Sequence, residues 1–208
     1  MKKLLLSVAF LTTTMGMAAQ DLQLPQPDKS NPTTLFRALE KRQSSRSFSA
    51  TDLSDAQLST ILWAACGINR PESGRITAPS ALNAQDILVY VVRKDGAYRY
   101  QPKENKLQKV SGKDLRMAVA GGQAFAADAP VSFVLVSDHG RFGDRAHSAT
   151  RMGLIDCGYV SMNISLACAA MGLENVPRMT MDSDALRKEL GLGENMELIL
   201  NQQVGYAK

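Results

Sequence analysis

Residues 41–48, Lys-Arg-Gln-Ser-Ser-Arg-Ser-Phe, bring two guanidinium groups (Arg42, Arg46) and three hydroxyls (Ser44, Ser45, Ser47) into one short stretch. A guanidinium keeps its charge and presents a planar fork of donors, which suits a phosphate or an electron-rich ring edge. Serine hydroxyls and free backbone N–H groups complete an anion site of that kind. The same residues would equally make a solvated basic turn after a helix, so the reading depends on the rest of the chain.

Other chemistries find less to work with. Gly191-Leu-Gly193 follows a predicted helix rather than a strand and lacks a third glycine, and no phosphate-loop sequence occurs. The two histidines, His139 and His147, sit in a loop and near a helix start, and no nucleophile-elbow sequence accompanies them. Cys66, Cys157 and Cys168 show no zinc-ligand spacing. Cys157 and Cys168 fall in one predicted helix, about 16 Å apart along its axis. A disulfide needs Cα atoms within about 7 Å. All three are expected to be buried, unpaired, small apolar residues.

The elements that must position the basic stretch belong to one domain. The chain has 208 residues, 45% apolar and 21% charged, enough for a sizeable core. Residues 1–19 read as an export signal: Lys2-Lys3, an apolar run from Leu4 to Met15, and the small-residue region Gly16–Ala19. That run is too short for a stable membrane span. The protein is expected to be exported, soluble and periplasmic. Without Lys2 and Lys3 the net charge of +4 falls to +2, 22 basic against 20 acidic residues. Nothing in that balance suggests nucleic acid.

Residues 20–30 read as a linker and 31–208 as the domain. Asn31-Pro32 is expected to cap a helix carrying Leu35, Phe36 and Leu39. Ser54-Asp-Ala-Gln57 is a capping box for a helix ending at Gly67. Residues 69–81 read as loop. Strands are expected at 87–93, 97–101, 107–110, 131–137, 176–181 and 197–205, and helices at 113–121, 144–171 and 184–190. Residues 153–171 are apolar on nearly every side, which predicts a central helix or one buried in a dimer interface. The mixed order is α+β.

Five signals in order carry a resemblance: Arg42-Gln-Ser-Ser-Arg-Ser-Phe48, the helix 58–67, Ala78-Pro-Ser-Ala-Leu-Asn-Ala-Gln85 before a strand, Gly121-Gly-Gln123, and Gly172-Leu-Glu-Asn-Val-Pro-Arg-Met-Thr-Met181. Over residues 33–206 the chain resembles the nitroreductase family of FMN flavoproteins. Leu62-Trp-Ala-Ala-Cys-Gly-Ile68 and Gly96-Ala-Tyr-Arg-Tyr100 look most like its azoline oxidase branch, the SagB-type enzymes. The resemblance implies an α/β/α sandwich with a mainly antiparallel central sheet flanked by helices, in an intertwined homodimer with FMN between subunits. It implies ping-pong hydride transfer through flavin N5 between an electron donor and a small nitro compound, quinone or azoline-like substrate.

By that resemblance Arg42 and Ser44 hold the phosphate and ribityl chain, and Gln43 contributes backbone. Arg46 lies beside the pyrimidine edge. Pro79, Ser80, Ala81 and Asn83 come from the other subunit, Gln123 meets the ring edge, and Pro177, Arg178, Met179 and Thr180 line N5. No side chain then acts as catalytic acid or base, and no metal is implied. Two features depart from the family: Thr180 stands where glycine is usual, and no basic C-terminal extension follows Lys208. A flavin-fold binding module without redox activity is the alternative these departures leave open.

Overall fold

The computed structural model describes residues 20–208; the expected export signal at 1–19 lies outside the described residues. In chain order the elements are β1 (Leu22–Gln23), α1 (Leu35–Lys41), α2 (Asp55–Cys66), β2 (Ile68–Arg70), β3 (Arg75–Ile76), β4 (Ile87–Arg93), β5 (Gly96–Gln101) and β6 (Lys106–Ser111). There follow α3 (Arg116–Ala120), α4 (Phe125–Asp128), β7 (Val131–Asp138), α5 (Ala149–Met171), β8 (Glu174–Arg178), α6 (Ser183–Glu189) and β9 (Met196–Gly205). Seven strands form one sheet in the order β1-β6-β5-β4-β7-β9-β8, every neighbouring pair antiparallel.

Residues 87–92 of β4 are apolar throughout because both faces of the sheet are covered there. Ile87, Val89 and Val91 of β4 pack with residues of α2 and α5, while Leu88, Tyr90 and Val92 pack with residues of α3 and α6. The expected helix–sheet–helix sandwich is therefore the observed architecture. The capping box on α2 is formed as read, with Ser54 Oγ accepting from the Gln57 N–H and Gln57 accepting from the Ser54 N–H. All three cysteines are buried and free, and burial pushes the Cys66 thiol up to about 12.

Several local expectations are corrected. Residues 20–30 are not a free linker. Leu22–Gln23 adds an edge strand to β6, and Leu24 is buried in the core. Leucines at 22 and 24 outweigh the two prolines, since this apolar pair finds the open side of β6. Thr34, not Asn31, caps α1; Asn31 instead accepts from the Thr33 N–H in a local turn. The stretch read as loop holds the β2–β3 hairpin. The helix expected from 144 begins at Ala149, because 139–148 forms 3-10 turns broken at Gly143 (φ 53°). The stretch 139–171 is long and apolar enough to cross a membrane by length and composition. Its inner face, including Gly153, Asp156, Cys157, Val160, Ile164 and Cys168, is buried in the protein core.

Candidate functional site

Arg42 ends α1, and the chain then leaves helical geometry (ψ 119°) to run along β8. The Ser45 N–H donates to the Asn175 carbonyl at 2.9 Å, and Ser44 makes an isolated parallel bridge with Asn175. Further on, the Ser49 N–H donates to the Tyr206 carbonyl and Phe48 is buried against Val176 and Ala129. The basic stretch is thereby pinned to the outer edge of the sheet at both ends. Gln43, Ser44 and Arg46 are exposed and Arg42 is half-buried. Neither arginine has an ion-pair partner among the described residues. Two uncompensated cations with a hydroxyl between them fit a phosphate.

The other end of β8 leads into Met179 and Thr180. Asn201 Nδ2 donates to the Thr180 carbonyl at 3.0 Å, and Gln123 Nε2 lies 3.4 Å from Thr180 Oγ1. The N–H groups of Met179 and Thr180 have no protein acceptor among the described residues, and Met179 is 73% exposed. The loop comes close to α3 because Gly121 (φ 54°) lacks a side chain: a Cβ there would lie 2.6 Å from the Met181 backbone. Two free donors beside an open surface suit the edge of an electron-rich ring.

Arg178 is buried and turned inward. Nε donates to Gln123 Oε1 at 2.9 Å, Nη1 to Asn201 Oδ1 at 2.9 Å and Nη2 to the Ala120 carbonyl at 2.7 Å. These partners are neutral, and burial holds the group below its ordinary range. The guanidinium is committed to the end of α3 and to β9, so it cannot also reach a phosphate beside Arg42. Pro177 is exposed in the same strand.

The third group lies elsewhere. Asp156 of α5 accepts the Ala81 N–H at 2.8 Å and so holds Pro79–Asn83 near the start of α5. Leu82, Asn83 and Gln85 all adopt positive φ, a strained run for residues with side chains. Asn175, which holds the basic stretch, bonds Ser165 instead. Nine residues of helix separate Asp156 from Ser165, about 14 Å along the axis. Within one chain Arg42–Arg46 and Pro177–Thr180 with Gln123 lie along one strand, β8, whereas Pro79, Ser80, Ala81 and Asn83 are held by α5 and make no hydrogen bond to β8 among the described residues.

A buried polar layer beneath the site was not anticipated. Gln202 bonds Ser161, Ser165 and Asn175, and Gln203 bonds Asn201. Asn201-Gln-Gln203 breaks the apolar run of a central strand, which is the signal that marks it. Asp86 is likewise fully buried, accepting from Ser137 at 2.6 Å, with Oδ1 unpartnered beside Asp156.

The nitroreductase family model matches residues 39–206. A protein of Methanocaldococcus jannaschii classed among the nitroreductases is 28% identical over 193 residues, covering 86% of this chain and 94% of its own. A crystal structure from Ralstonia eutropha classed likewise is 35% identical, with a TM-score of 0.86, over 100% of this chain and 96% of that one. The NADPH:FMN oxidoreductase of Vibrio harveyi, solved with NAD+, shares the fold at 22% identity and a TM-score of 0.63, over 84% of this chain and 69% of that one.

Proposed function

The chain belongs to the nitroreductase family of oxidoreductases, and from that premise we propose that it is an exported FMN enzyme acting on a small nitro compound, quinone or azoline-like molecule. One observation carries the reading: the unpaired cations Arg42 and Arg46 and the free N–H groups of Met179 and Thr180 flank the same strand, β8. When bound, FMN would supply hydride transfer at N5. Arg42 and Ser44 hold its phosphate. Arg46 sets a fixed positive charge beside the ring edge where reduction builds negative charge. The Met179 and Thr180 N–H groups would supply hydrogen-bond donors to the ring. Gln123 orients Thr180 and Arg178 and contributes to the ring edge through what remains of its amide.

The separation of Pro79–Asn83 from the rest supports a site shared between two copies. Leu154, Ile155, Tyr159 and Met162 form an exposed apolar face on α5 between the two groups. A second copy seated there would bring its own Pro79–Asn83 loop to the first copy's basic stretch. Export rests on residues 1–19, and the azoline-like substrate on the Leu62–Ile68 and Gly96–Tyr100 sequences.

The test is a visible absorbance spectrum of the purified protein, before and after adding FMN and then dithionite. A bound flavin that bleaches on reduction is the expected result. A colourless protein that ignores added FMN would sink the enzyme and leave a binding module.

A further inference from the structure

The ladder between β4 and β5 stops at Tyr90↔Arg99. Yet β4 continues back to Ile87 against β7, and β5 continues to Gln101 against β6. The two strands therefore part within the sheet. Continued in register, Val89 would face Tyr100, Leu88 would face Gln101 and Ile87 would face Pro102. These six residues instead line a cavity of about 270 Å³. Pro102, which has no N–H to donate, follows Gln101 at the end of β5. Backbone polar groups alternate sides along a strand, so on each parted edge the groups aimed at the gap forgo the bonds that a continued β4–β5 ladder would give. Buried groups of this kind are nearly always satisfied, by water or a ligand where no strand does so.

The remaining walls give the gap its character. Cys66 and Ile76 supply a buried apolar floor. Arg99, Lys103 and Arg141 reach it against a single carboxylate, Glu104. Arg141 is engaged by Asp138 and by the Gln85 carbonyl, but Arg99 and Lys103 have no ion-pair partner among the described residues. The gap lies three strands from β8, about 14 Å across the sheet at ordinary strand spacing.

We propose that this gap is a second small-molecule site, for an N-acylated amino acid or a carboxylate of like size. The apolar part rests on Ile76 and Cys66, an amide pairs with the parted strand edges, and the carboxylate meets Arg99 and Lys103. The inference goes beyond the oxidoreductase reading and does not depend on it.

The probe is N-acetylleucine, with N-acetylleucine amide as its uncharged counterpart. Two-dimensional amide NMR should show saturable shifts at Leu88 and Gln101 up to about 10 mM, past the millimolar affinity a ligand of this size can reach. The uncharged amide should bind about tenfold more weakly, because it forfeits a charge-assisted hydrogen bond. Arg99→Gln, a change at a half-exposed position, should weaken the acid about tenfold and leave the uncharged amide unaffected. Lack of shifts at Leu88 and Gln101, or equal affinity for acid and amide, would overturn the proposal. Either result leaves the flavin spectrum, and the reading it tests, untouched.

Discussion

Arg178 and Asp156 show how single buried charges organise the protein. Arg178 sits among neutral acceptors with no carboxylate, an expensive arrangement unless each donor is used. It binds the last carbonyls of α3, where a cation also favours the helix dipole, and thereby ties α3 to β8 and β9. Asp156 is the opposite case. Burial pushes its carboxyl up to about 6, opposed by the Ala81 N–H and reinforced by the neighbouring Asp86. A carboxyl raised in this way holds its proton more tightly when folded. Its stabilisation is complete below the ordinary 3.8 and is lost as pH rises through about 6. Asp156→Asn keeps an oxygen for the Ala81 N–H but cannot titrate. Thermal midpoints measured across that window should fall for the wild type and stay flatter for the variant; a slope the substitution leaves intact would assign it to another group.

Among the elements, the close approach of α3 to the loop after β8 is what places Thr180. Gly121 combines a positive φ with the 2.6 Å clearance to Met181, so neither the conformation nor the space admits a side chain. Gly121→Ala should cost about 2 kcal/mol or more in a urea titration. It should also disturb flavin uptake, because Met181 carries Met179 and Thr180 with it. An unchanged midpoint would mean that the loop yields freely. Asp156, bonded to the Ala81 N–H beside the positive-φ residues Leu82, Asn83 and Gln85, shows α5 holding a second loop.

For the whole molecule, the proposed sharing of the site between two copies rests on the exposed face of α5. Leu154, Ile155, Tyr159 and Met162 are each about half exposed, unlike the apolar residues on the opposite face of the helix. A contiguous patch of this kind marks an interface. Ile155→Glu should give a monomer by light scattering and, with it, loss of bound flavin. A monomer that keeps its flavin would defeat the shared site.

Six of the seven sheet strands and the longer helices were legible in the sequence because period and turn residues act locally, while the sandwich was implied by the family resemblance. Short apolar runs rich in β-branched and aromatic residues, such as 87–92 and 133–136, read as strands covered on both faces. The basic stretch Arg42–Arg46 was legible for the same reason, since residue types and spacing suffice to state what it could bind. Arg178 was not: as a residue type it read as a candidate for the cofactor, and only its surroundings show a guanidinium spent on α3 and β9. Nor could spacing reveal that Leu22–Gln23 docks on β6 or that β4 and β5 part at Tyr90. Both depend on which edge or gap another element leaves open. The distance between the basic stretch and Pro79–Asn83 belongs to the same class. It follows from which residues of α5 hold each segment, Asp156 for the loop and Ser165 by way of Asn175 for the basic stretch, and no local pattern states that.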